Sequence, residues 1–208
     1  TQPESSAASD VYKRQVVLTL GGTIGWSQYE DYTNEKAVAA ANTYDSLLQG
    51  RESGESAEEM ALISAGLRET HDGGAFAAFA SLQVAAAAVE AGDLVLARAE
   101  LESVMATVEL DSTLGQLVQL RLARVMAASG DEATAVAILE QGSSSFPASY
   151  AQALGDIHLA AGRESEALMA YQSAQTESLA LGGQLGLVDL KVSGLSLRDA
   201  EDSIEDSQ

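Results

Sequence analysis

From Ala75 onward the apolar positions recur at helical spacing, and the pattern breaks three times in the same way. A glycine closes one apolar stripe and an alanine five residues later opens the next, at Gly92/Ala97, Gly130/Ala135 and Gly162/Ala167. Leu101, Leu139 and Tyr171 follow each glycine by nine positions, and Val84, Leu122 and Leu154 precede it by eight. A glycine just past a helix adopts the left-handed conformation at little cost. Asp93 and Asp131, directly behind two of these glycines, suit the N-cap of the following helix, whereas Arg163 departs from that pattern. The alanines mark positions where two antiparallel helices should approach closely, and a larger side chain there would overfill by about 1–3 kcal/mol. The spacing therefore predicts helix pairs over Ala75–Val108, Thr113–Gln141 and Ser149–Leu179, with Pro147 as the breaker that ends the second.

The flanking segments extend this plan. Ala37, Ala41, Tyr44, Leu47 and Leu48 make one stripe on a helix from Asn34 to Gln49, and the polar stretch Gly50–Glu55 reads as a turn. Ser56 and Glu59 form a capping box that opens a helix to Thr70. A loop follows at His71–Gly74. At the other end, Leu185–Leu197 carries Leu187, Leu190, Val192 and Leu195 and should cap the open end of the stack. Asp199–Gln208 is dense in carboxylates and reads as a disordered tail, 199–208. Helix–turn–helix units repeating after 38 and then 32 residues, from Gly92 to Gly130 to Gly162, resemble tetratricopeptide repeats. The expected fold class is all-α, a tetratricopeptide-like α-solenoid of antiparallel helix pairs over residues 29–198, preceded by a truncated transmembrane helix.

That helix is read from Val16–Trp26 (VVLTLGGTIGW), an uncharged apolar run. Eleven helical residues rise about 16 Å, half of a hydrocarbon core of about 30 Å, so the run reads as the second half of an anchor, 16–28. Trp26, Tyr29 and Tyr32 form the aromatic belt expected where such a helix leaves lipid, and Gly21 and Gly25 make a GxxxG packing pair. Without proline or a turn cluster, one helix should continue from Thr23 to Gln49. The polar stretch 1–15 is unlike the rest and reads as a foreign or misjoined segment outside the fold.

Composition narrows the function. Acidic residues number 31 against 11 basic, for a formal net charge of −20. Such a surface repels phosphates and argues against nucleic acid as a partner. There are no cysteines, which removes disulfides, thiol catalysis and Cys-ligated metals. His71 and His158 are the only histidines, read as a loop residue and a packed or rim residue. LGGTIG at Leu20–Gly25 resembles the start of bacterial asparaginases over six residues, but the helical remainder lacks their strand–turn architecture, and Thr23 reads as a small residue on the membrane helix. Glu58/Glu59 and Glu164/Glu166 are helix-start charges rather than a catalytic pair. No phosphate, dinucleotide or zinc-hydrolase motif occurs, so neither an enzyme nor a cofactor is expected.

The chain resembles the family of ancillary subunits of the bacterial SecYEG translocon. The residues that carry the resemblance are GGTIGW at Gly21–Trp26, FASLQVA at Phe79–Ala85, LRLARV at Leu120–Val125, GDEATAVAIL at Gly130–Leu139 and LVDLKVSGLS at Leu187–Ser196. The resemblance spans nearly everything from Val16 to Ser196, with LRLARV and LKVSGLS its most specific parts. Two departures from the family are expected: its cytoplasmic segment and the first half of its span are missing here, and the acidic tail is an addition. The resemblance implies a single-pass inner-membrane protein with a periplasmic repeat domain. It would associate with the translocon and with a membrane-bound prolyl-isomerase-type chaperone, and help pass emerging polypeptides to periplasmic chaperones. A soluble periplasmic tetratricopeptide adaptor in envelope assembly or cell division is the competing expectation.

Overall fold

The structure, a computed structural model, describes residues 34–70, 74–183 and 186–205. Gly21, Gly25 and Trp26, the anchor 16–28, the segment 1–15 and residues 23–33 of the expected continuous helix lie outside the described residues. So does His71. Among the described residues no helix is long and apolar enough to cross a membrane.

Nine helices and no strands make up the described residues. Helix α1 covers 34–53. The others are α2 (Ala57–Thr70), α3 (Ala75–Ala91), α4 (Leu94–Met105), α5 (Thr113–Ala128), α6 (Glu132–Leu139), α7 (Pro147–Ala160), α8 (Glu164–Ala180) and α9 (Gly186–Glu205). They pair as α1/α2, α3/α4, α5/α6 and α7/α8. The contacts between helices run chiefly between chain neighbours, and α5 also touches α7.

One backbone device ends the first helix of every pair. Gly92, Gly130 and Gly162 have φ of 80°, 89° and 75°, and Gly54 repeats it at 84°. In each case the glycine N–H and the next N–H bond back to the closing turn, as in Gly92 N to Val89 O at 3.1 Å and Asp93 N to Ala88 O at 2.8 Å. A Cβ at Gly92 would meet nothing within 4 Å, so it is the positive φ, not crowding, that calls for glycine there. Behind it Asp93 accepts a 2.9 Å bond from Leu96 N. Asp131 stands at the same position without that bond. Its carboxyl is held below the usual carboxylate range by the Thr134 hydroxyl and by Arg98, whose Nη1 lies 3.3 Å away.

The paired alanines lie in the interior of the fold. Ala97, Ala135 and Ala167 are each fully buried, and Leu101, Leu139 and Tyr171 one turn on are at most 1% exposed. Val84 and Leu122 are buried and Leu154 is partly so. Because Ala135 is enclosed while Ala133 faces solvent, Ala135→Leu should lower stability by about 1–3 kcal/mol. Ala133→Leu should change it by less than about 0.5 kcal/mol. Thermal melts of the two variants check this, and equal midpoints would show that the register is wrong.

Five sequence expectations shift. The helix α1 runs through Gly50, expected in a turn, because that glycine is buried inside the helix and the left-handed stop comes at Gly54. Its buried stripe is Ala40 and Leu47 with Tyr44 and Leu48 beside them. Ala37 is exposed, since alanines on both faces of a helix do not mark its phase. Pro147 does not end the second pair; it is the first residue of α7, where its missing N–H costs nothing. In α9 Val188, Val192 and Leu195 pack on Leu159, Ala167, Leu168 and Tyr171, while Leu187 and Leu190 are exposed. Finally, α9 continues to Glu205 through the stretch expected to be a disordered tail from Asp199, with no glycine or proline after Gly194 to stop it.

Two polar clusters join the pairs. Glu100 on α4, 5% exposed, receives Arg68 of α2 at 2.6 and 3.2 Å through both guanidinium nitrogens. Ser64 and Ser81 complete the cluster, each accepting from Arg68. Gln116 on α5 bonds the Asp111 carbonyl, Ser143 and Ser144 side chains and the Ser145 N–H, pinning the loops before and after its own pair. The Tyr150 hydroxyl donates to its carbonyl at 2.7 Å.

Candidate partner-binding groove

Helix α5 touches α7, and α3 and α5 face a common cavity floored by α4, so α3, α5 and α7 contribute to one face of the stack. Between α3, α4 and α5 a cavity of about 370 Å³ opens over Leu82, Ala85, Leu94, Leu101 and Val125, with Val89, Arg121 and Arg124 at its rim. A second cavity of about 380 Å³ lies between α5 and α7, over Ala153 and Ile157. Arg124 and Ala128 line both, which makes the two cavities one trough crossing three helices. Its walls open because they are built from alanine: Ala86, Ala127, Ala160 and Ala161 stand where larger side chains would fill the space. Val89 is 46% exposed at the rim and gives the trough an apolar edge.

Every carboxylate on the trough is answered by a cation from a neighbouring helix. Glu90 meets Arg51 of α1 at 2.8 Å. Glu132 pairs with Arg163, the residue that departs from aspartate at the third N-cap, and Arg163 Nε also donates to His158 Nδ1 at 3.0 Å. Asp156 pairs with Lys191 of α9 and accepts from the Tyr171 hydroxyl at 2.7 Å. Lys191 stands 5.0 Å over the Tyr171 ring. Burial first, and then the bond to Asp156, push the Tyr171 phenol well above its ordinary range, so it stays a proton donor. Exposed pairs of this kind contribute at most about 1 kcal/mol each, and here they set the alignment of successive pairs more than stability.

Arg121 and Arg124 are different. Both are exposed, both lie on α5, and neither has an ion-pair or hydrogen-bond partner among the described residues. In a chain of net charge −20 they form a small positive island at the centre of the trough. LRLARV was legible as a motif, but only the fold shows that its two arginines meet no carboxylate. The repeat-packing residues Gly92, Ala97, Gly130, Ala135, Gly162 and Ala167 lie at the turns and pair interfaces that support this face. Of these Gly130 alone lines it. Glu58 and Glu59 sit in the first turn of α2 and Glu164 and Glu166 in that of α8. Ser56 and Glu59 exchange capping bonds at 3.0 and 3.2 Å. No group of His, Asp or Glu residues placed to hold a metal ion occurs among the described residues.

Comparison with known proteins agrees with the geometry. The chain is 29% identical over 175 residues, 84% of each chain, to the ancillary SecYEG translocon subunit of Haemophilus influenzae. No solved structure matches it. A family profile described as a tetratricopeptide repeat-like domain matches residues 10–196. That match starts within the stretch 1–15 that composition sets apart and ends at the last residue of the LKVSGLS segment. With helix pairs and glycine stops through the described residues and a family match over residues 10–196, this chain belongs to the tetratricopeptide repeat-like domain family.

Proposed function

We propose that the protein is a non-enzymatic scaffold of the bacterial inner membrane that associates with the SecYEG translocon and helps pass emerging polypeptides to periplasmic chaperones. The observation that carries this reading is the similarity to the Haemophilus influenzae subunit, which extends over 84% of both chains rather than over one repeat. A membrane-bound prolyl-isomerase-type chaperone is the second partner. Val16–Trp26 supplies the outer part of a single-pass anchor, with Gly21 and Gly25 as its packing face and Trp26 at the lipid boundary. The trough across α3, α5 and α7 is the docking face. Tethering by the anchor raises the local concentration of that face at the translocon, so the trough can contribute with modest intrinsic affinity.

Crosslinking in intact membranes containing the full natural protein, followed by purification and identification of the products, tests this. Enrichment of translocon subunits and of the chaperone is the expected result. Enrichment of cell-division or envelope-assembly factors in their place would favour a soluble adaptor instead.

A further inference from the structure

We infer that the trough between α3 and α5 binds a short peptide segment of a partner protein that presents an apolar side chain next to a carboxylate. The apolar side chain enters the cavity over Leu82, Leu101 and Val125, and the carboxylate meets Arg121 and Arg124. The inference deepens the docking-face reading above and rests on it.

Three observations point to this ligand class. The first is charge. Arg121 and Arg124 are one helical turn apart, so their Cβ atoms stand about 5–6 Å apart on one face of α5. Neither is neutralised, although each described carboxylate of the trough has its own cation. A carboxylate from outside relieves that like-charge neighbour pair and accepts the forked bonds that arginine makes best.

The second is shape. A cavity of about 370 Å³ with a mainly apolar wall takes one or two aliphatic side chains, and it opens beside the two guanidinium groups. An apolar anchor and an arginine contact side by side are the combination that concentrates binding energy at protein interfaces.

The third is the surrounding field. A chain of net charge −20 repels long anionic polymers. Two arginines cannot offset that field for a nucleic acid or for a run of acidic residues, but they suffice for one or two carboxylates flanked by apolar residues. This selects a mixed acidic–apolar segment over phosphate chains.

Phage display of random decapeptides on the full chain, with the Arg121→Gln/Arg124→Gln variant in parallel, tests the inference. The expected result is enrichment of Asp or Glu beside Leu, Ile, Val, Met or Phe on the wild-type chain, absent on the variant. A synthetic peptide from that selection should bind the variant at least about tenfold more weakly by fluorescence anisotropy. Its Gln-for-Glu analogue should bind the wild-type chain equally weakly. Both arginines are exposed, so circular dichroism melts of variant and wild type should coincide, which separates lost binding from lost folding. No selected peptides, selection without acidic residues, or the same selection on the variant would each overturn the inference. Charge reversal, Arg121→Glu/Arg124→Glu, should shift the selected peptides to Lys and Arg, and failure to do so counts equally against it. A chain that selects acidic–apolar peptides but crosslinks to no translocon subunit removes the translocon assignment alone. Crosslinking without such selection removes this inference alone.

Discussion

Replacing Arg68 by alanine should destabilise the domain by about 3–5 kcal/mol, because it leaves Glu100 buried without its cation. For a domain of this size that corresponds to a fall in Tm of about 6–20 °C, at about 2–4 °C per kcal/mol. The asymmetry of the pair makes the prediction specific. The Glu100 side chain is 6% exposed while that of Arg68 is 29% exposed. After Glu100→Ala the guanidinium can turn toward water, so that variant should lose less than Arg68→Ala. The double variant Arg68→Ala/Glu100→Ala should also be more stable than Arg68→Ala alone, since it no longer carries an unpaired buried charge. Denaturant titration of the three variants measures all of this. A double variant less stable than Arg68→Ala would mean that Glu100 is stabilising even without its cation, through its bond from Ser64 and its packing.

The second large effect is expected at Gly155 on α7. A Cβ built there would sit 2.5 Å from Tyr171 Cε1 and 2.6 Å from Cδ1. The ring cannot yield easily, being fully buried and held through its hydroxyl by Asp156. Alanine in place of a mid-helix glycine should gain about 1 kcal/mol from backbone entropy alone. The clash opposes this with about 1–3 kcal/mol, and valine, with two more methyl groups, should reach the upper end. Gly155→Val is thus expected to cost about 3 kcal/mol. Gly66 on α2 is the control, because a Cβ there meets nothing within 4 Å. Gly66→Ala should stabilise by up to about 1 kcal/mol. Opposite signs for alanine at the two glycines, read from thermal melts, are the expected outcome. A stabilising Gly155→Ala would show that Tyr171 moves freely.

How far such features can be read without a fold depends on whether the cause is local. A left-handed stop at Gly92 or Gly130 is written at one position, and the fit of Ala97 or Ala135 against a facing helix recurs at fixed spacing, so both were legible. Pairing of Arg68 with Glu100 was not. The partners are 32 residues apart and neither belongs to a periodic pattern. Gln116 likewise reaches across 27–29 residues to Ser143, Ser144 and Ser145. The phase of α1 was blurred because alanine appears on both its faces. For the trough, LRLARV could be read as a motif, yet whether Arg121 and Arg124 meet carboxylates depends on which helices are brought beside α5. A glycine inside a helix, as at Gly50 or Gly155, is indistinguishable in sequence from one that ends it until its neighbours are known.

Because each helix rests mainly on the ones just before and after it in the chain, no pair waits for a distant segment before it can form. Such low contact order shortens the loops that must close and places folding in the microsecond-to-millisecond range typical of helical domains. Each pair can condense on the one already formed as the chain lengthens, so the stack grows from its amino-terminal side during synthesis. An interruption after Leu139 would leave a partly grown stack whose last face is apolar, and that exposed end, rather than a misfolded core, is where a stalled chain would aggregate.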